Sequence, residues 1–335
     1  MAGRACARGL FGLRPLHNAS RNMSTLSPPK KLDPNYVSTE SMDVERLFLH
    51  ADVRKILKKL TGMDLNRIFA LRKQENSVPS YKLMTDEELK QAYAKALKRA
   101  EFTLRMPPVM RKRVPCEAII RKDPGMQGAE KHKFVFTDIS YGIPDRSRPI
   151  VVREPNGVLR NASWEERDQM LQTYLTRPER ESRTPPMFTE PHLTRILDKG
   201  WYIFVLDRAC AQFEPDDEWF IAVTHRTYDH ISEKSAFDVV RSTRHFGPMC
   251  LYLAVVKNGD KLMLELLTTN RLEDAAAFVR LLHLVHPESR SAGEVDEKSS
   301  AMDFVEAYIK LEAQMKAKLD LALQSYNDQV QAATA

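Results

Sequence analysis

The sequence predicts a mainly α protein, packed helices and helical hairpins with a small antiparallel β element near residues 131–160. Three observations lead there. Apolar residues recur at spacings of three and four in several separate segments. Thr85 stands three positions before Glu88, and Ser163 three before Glu166, the pattern of a helix-opening capping box. Between these two starts the chain turns to β-prone Phe, Ile and Val, with a Pro-Asn-Gly turn at 155–157. The 335 residues, 43% of them hydrophobic, suffice for one large or two modest domains with a sizeable core.

The first element is an address. Residues 1–32 hold Arg4, Arg8, Arg14, Arg21, Lys30 and Lys31 and no acid; the first acid is Asp33. Leu10, Phe11, Leu13 and Leu16 lie among the arginines. An Arg-rich, acid-free, amphipathic start predicts a mitochondrial transit peptide over 1–23, cut near Met23-Ser24. A linker over 24–40 carries Pro28, Pro29 and Pro34. Since six of the 51 basic residues lie in that start, the body holds 45 basic and 45 acidic groups and is neutral.

Residues 41–175 form an N-terminal helical region that includes the β element. From Ser41 to Leu60, Val44, Leu47, Phe48, Ala51, Ile56, Leu57 and Leu60 predict one amphipathic helix, ended by Gly62. A second helix opens at the Thr85 box, with Leu89, Ala92, Tyr93, Ala96, Leu97 and Ala100 on one side, and stops before Pro107 and Pro108. Phe134, Phe136, Ile139, Tyr141, then Ile150, Val151 and Val152, predict two or three strands. The Ser163 box opens a helix to about Tyr174, packed through Trp164, Met170 and Leu171. A Pro- and Arg-rich loop covers 176–187. A helical core region follows over 188–286, with a helix start at Pro215 and acids in its first turn. A single charged C-terminal helix is expected over 300–330, with Phe304, Tyr308, Leu311, Met315 and Leu319 on one side.

Several chemistries are missing from the sequence. No phosphate-binding Gly-rich loop, nucleophile elbow or zinc-protease helix motif occurs. Cys6, Cys116, Cys210 and Cys250 form no C-x-x-C pair, and the last two sit in apolar stretches as buried thiols. His283 and His286 share helical spacing but lack further ligands, so a helix C-terminus explains them. The longest apolar run, Met249 to Val256, is too short for a membrane span. The expectation is no enzyme, no cofactor, no metal, no small-molecule substrate and no membrane.

One regional charge stands out. Lys98 to Arg153 holds 13 basic against six acidic residues. Its members Lys98, Arg99, Arg105, Arg111, Lys112, Arg113, Arg121, Lys122, Arg146 and Arg148 are the candidate RNA contacts, because cations bind phosphate without a sequence code. Arg111, Lys112 and Arg113 lie between prolines, which predicts an extended, solvent-facing loop whose charges matter little to stability. Phe134, Phe136 and Tyr141 are expected to be buried rather than to stack on bases. Glu214, Asp216, Asp217 and Glu218 are candidate protein-docking residues, with a helix N-terminus as the plainer explanation.

Tyr81-Lys82-Leu83-Met84-Thr85, Met106-Pro107-Pro108-Val109, the block VFTDISYGIPDRSRPIVVREPNGVLRNASWEERDQM at 135–170, AQFEPD at 211–216 and RSTRHFG at 241–247 together resemble the mitochondrial small-subunit ribosomal protein twenty-two family. The likeness covers about 45–330. It implies a structural protein of the matrix ribosome's small subunit, touching small-subunit ribosomal RNA and other small-subunit proteins, with no catalytic residues to carry over. An RNA-binding regulator acting off the ribosome is the alternative.

Overall fold

The computed structural model describes residues 43–70, 81–126, 131–295 and 299–334. The expected transit peptide and linker lie outside the described residues. What is described is mainly helical with one small sheet.

The N-terminal helix is two helices, α1 (Val44–Leu49) and α2 (Ala51–Thr61), separated by His50 in an extended conformation. The break has a packing cause. Phe48 is buried on α1, and Val53, Leu57 and Leu60 on α2. In one unbroken helix Phe48 and Val53 would point about 140° apart; the bend turns both inward. Gly62 ends α2 at a φ of 67°, where a Cβ would be strained. A single turn, α3 (Leu65–Ile68), follows, capped by Asp64.

In α4 (Asp86–Thr103) both halves of the Thr85–Glu88 capping box are made. Its apolar stripe, however, is largely uncovered: Ala100 is buried, while Leu89 and Tyr93 face solvent. Periodicity marks a face; it does not supply a partner within the chain.

Four strands form the sheet: β1 (Ile119–Lys122), β2 (Phe134–Thr137), β3 (Ile150–Arg153) and β4 (Val158–Asn161). Their order is β1-β4-β3-β2, with every neighbour antiparallel. The Pro155-Asn156-Gly157 turn joins β3 to β4 as expected, with Gly157 N–H donating to the Glu154 carbonyl at 3.0 Å. β1 is a strand beyond those expected; Ile119-Ile120-Arg121-Lys122 lacks alternation, and a register shift interrupts its pairing. Helix α5 (Trp164–Tyr174) opens with a complete Ser163–Glu166 box. It covers one sheet face through a small apolar cluster of Ile150, Val152, Ala162 and Leu171.

The larger apolar cluster belongs to the helices: α6 (His192–Asp198), α7 (Tyr202–Gln212), α8 (Glu218–Lys234), α9 (Phe237–Val240), α10 (Phe246–Val256), α11 (Asp260–Thr268), α12 (Leu272–Val285) and α13 (Ala301–Leu311), with α2 and α14 (Lys316–Thr334) against them. α10 is central; all but Tyr252 and Val256 are buried, which explains its unbroken apolar run. No described helix is long and apolar enough to cross a membrane. The expected single C-terminal helix is also two, α13 and α14. The chain breaks between them where the Asp260 carboxylate accepts the Gln314 and Met315 N–H groups at 2.7 and 2.8 Å.

Candidate functional site

The segment from Arg105 to Ala118 forms neither helix nor strand, a loop as the prolines predict. It is laid across the junction between the two apolar clusters. Met106 packs against Gly247, where a Cβ would stand 2.4 Å from its Sδ, so two of the distinctive motifs are in contact.

Arg111-Lys112-Arg113 does not project freely into solvent. Arg111 pairs with Asp43 at 3.3 Å and Lys112 with Glu218 at 2.8 Å. Arg113 donates to Asp168 at 3.0 Å and to Asp217 at 2.7 Å, and its backbone N–H donates to the Asp216 carbonyl at 2.9 Å. Arg146 pairs with Asp216. Arg177 bridges Glu214 at 2.9 Å and Asp145 at 2.6 Å, and Arg180 reaches Glu214 at 3.3 Å. The candidate RNA contacts Lys112, Arg113 and Arg146 and the candidate docking acids thus face one another. They form a charged seam joining the sheet unit to the helical core.

Burial ranks these pairs. The side chains of Arg113 and Asp217 are only 11% and 9% exposed, whereas Arg111 and Lys112 are more than half exposed. Exposed pairs are worth roughly 0–1 kcal/mol. Removing one partner from a buried pair strands the other charge. Exposure agrees with a small effect on stability for Arg111 and Lys112, whereas the burial of Arg113 argues for a large one. Burial pushes the Asp217 carboxyl up, and the Arg113 guanidinium opposes the rise. Trp164 completes the junction: the Arg113 and Arg167 guanidinium carbons lie 4.9 and 5.5 Å from its ring centre, and its Nε1–H donates to the Val114 carbonyl at 2.7 Å.

Arg148 is buried and donates to the carbonyls of Asp138, Ser140 and Ile143 at 2.8, 2.9 and 2.8 Å. Its guanidinium organises the loop before β3. Lys98, Arg99, Arg105, Arg121 and Lys122 do stand on the surface. The sequence reading missed Asp145, Asp168, Arg177 and Arg180 as members of the seam. A neutral body with separated basic and acidic stretches was the available signal.

The aromatics differ from expectation. Phe134 is 39% exposed, Phe136 51%, and Tyr141 fully so. β2 is an edge strand, and its Phe residues lie on the face away from α5. On the covered face Arg160 donates to Glu166 and Glu154, and Lys133 also pairs with Glu166. The Arg160 hydrogen bonds hold the Glu166 carboxyl down at about 2 against burial, a salt-bridged helix start.

His283 bonds Ser291 Oγ at 2.7 Å, and buried His286 meets the Ala254 carbonyl at 3.0 Å near the end of α12. Burial pushes the Cys210 thiol up to about 11 and raises Cys250 as well. Among the described residues no His, Cys, Asp and Glu group is placed to hold a metal ion. A shallow cleft lined by Pro186, Met187, His192, Arg195, Ile196 and Lys199 carries no carboxylate or thiol.

Residues 46–287 match the family model described as Mitochondrial 28S ribosomal protein S22. The chain is similar to the Small ribosomal subunit protein mS22 of Bos taurus, 42% identical over 282 residues, covering 84% of this chain and 79% of the relative. It is also similar to the protein of the same name from Mus musculus, 39% identical over 302 residues, covering 90% of this chain and 84% of the relative.

Proposed function

The chain belongs to the mitochondrial 28S ribosomal protein S22 family, and from that premise we propose that it is built into the small ribosomal subunit in the matrix, bridging ribosomal RNA and neighbouring proteins. It is a mitochondrial ribosomal protein with a structural, non-enzymatic role.

The observation that carries the reading is the family match across residues 46–287. Two surfaces support the finer statement. Lys98, Arg99, Arg105, Arg121 and Lys122 remain outward once Arg111, Lys112, Arg113 and Arg146 are paired with acids and Arg148 with carbonyls, and such cations suit phosphate. The uncovered Leu89 and Tyr93 of α4 offer apolar area for a protein neighbour. Lys98 and Arg99 stand on the same helix as Leu89 and Tyr93, so one element presents both kinds of surface, which supports a bridging role.

Depletion tests the proposal. Removing the protein from cells should lower assembled small subunits and their RNA while sparing assembled large subunits, read by quantifying both particles. Equal loss of both, with small-subunit RNA unchanged, would defeat it.

A further inference from the structure

We propose that the open face of the four-stranded sheet is a stacking surface for unpaired RNA bases. The proposal rests on the RNA-contact reading and gives it a place and a mode.

Strand register defines the face. Residues directly opposite in antiparallel strands project to the same side. Phe134 pairs with Arg153, Arg153 with Leu159, and Leu159 with Arg121, one row across all four strands. Phe136, Val151 and Asn161 form the adjacent row. The alternate residues Val135, Val152 and Arg160 turn the other way, toward α5, where Val135 and Val152 join the apolar cluster and Arg160 holds Glu166. The open face is therefore distinct from the one that folds the unit.

Its chemistry suits nucleic acid better than protein. Phe134 and Phe136 sit two residues apart on one strand, about 6.8 Å, which separates two splayed bases. The Arg153 guanidinium carbon lies 4.9 Å from the Phe134 ring centre, which widens the flat surface. The sixteen strand residues include Arg121, Lys122, Arg153 and Arg160 and no acid. Of the carboxylates flanking the strands, Glu154 and Glu166 are engaged by Arg160, and Asp123 and Asp138 accept the Gly125 and Ser140 backbone N–H groups. Asn161 adds an amide able to read a base edge. Rings bordered by cations, with no acid among the strands, complement a base flanked by phosphates.

The test measures binding of a fluorescently labelled mixed-sequence 12-nucleotide RNA, single- or double-stranded, to the full chain across a salt series. Replacing Phe134→Leu and Phe136→Leu together keeps apolar bulk and removes the rings. It should weaken single-strand binding about tenfold or more, leaving the salt slope unchanged and duplex binding nearly so. Replacing Phe134→Tyr and Phe136→Tyr should retain binding, and thermal melts confirm that each variant folds. Replacing Arg121→Gln and Lys122→Gln should instead flatten the salt slope by roughly two phosphates.

Unchanged single-strand affinity in the folded Leu variant overturns the stacking surface and leaves RNA contact elsewhere intact. The same result with weaker retention on small subunits assigns the face to a protein neighbour, which also overturns it. A wild-type chain that binds neither RNA overturns both this inference and the RNA-contact reading.

Discussion

Arg113→Met lowers the stability of the folded protein by about 3–5 kcal/mol, the cost of stranding a buried charge. Arg113 is the cation between Asp168 and Asp217, at 3.0 and 2.7 Å. Met keeps much of the volume against Trp164 and removes the charge, so the loss reports electrostatics rather than a cavity. The effect depends on pH with a definite sign. Burial already raises the Asp217 carboxyl above its ordinary 3.8, and Arg113 opposes that rise. Without Arg113 the folded state holds a proton that the unfolded chain releases, so the variant's stability falls as pH rises through that window. Its deficit is therefore full at neutral pH and shrinks as pH is lowered toward 3.8. Denaturant midpoints at two pH values check this, with Arg111→Ser and Lys112→Ser together as a control that breaks two exposed pairs and is expected to cost about 2 kcal/mol at most. An Arg113→Met midpoint no lower than that of the control would show that the seam is not held together there.

Asp260→Ala costs a further large amount, about 3–5 kcal/mol, by a different route. The Asp260 carboxylate accepts the Tyr308 hydroxyl at 2.6 Å and the Gln314 and Met315 N–H groups at 2.7 and 2.8 Å. Truncation leaves three donors unsatisfied at the joint between α13 and α14, two of them backbone groups. Asp260→Asn keeps one accepting oxygen but turns an amide donor toward donors, so it should fall between Ala and wild type. Limited proteolysis should open the chain near residues 312–316 in the Ala variant and not in the wild type. Equal cleavage rates and equal melting temperatures would remove Asp260 from this role.

The features legible in the sequence are those that local chemistry decides. The Thr85 and Ser163 capping boxes, the Gly62 stop, the Pro-Asn-Gly turn and the loop after Pro108 each depend on residues a few positions apart. The features that were not legible depend on distant partners. The break at His50 exists because Phe48 and Val53 must reach one core. The break between α13 and α14 is set by Asp260, more than 50 residues upstream. The Leu89 and Tyr93 spacing identifies a face but cannot say that no described element covers it. Phe134 and Phe136 alternate as strand residues do, yet which side of a sheet is packed depends on where α5 lies. Charge was read correctly in amount and incompletely in arrangement. Arg113 and Asp217 lie 104 residues apart, so one basic and one acidic cluster looked like two outward surfaces. Their mutual pairing leaves a smaller outward set, Lys98, Arg99, Arg105, Arg121 and Lys122, and brings the sheet face forward.

The central claim is that this chain is a constituent of the mitochondrial small ribosomal subunit, and gradient sedimentation of a mitochondrial lysate at moderate salt measures it most directly. The account predicts that the chain travels with small-subunit RNA as a sharp peak and leaves only as rising salt weakens its phosphate contacts. A chain found mainly at the top of the gradient, apart from intact small subunits, would contradict it.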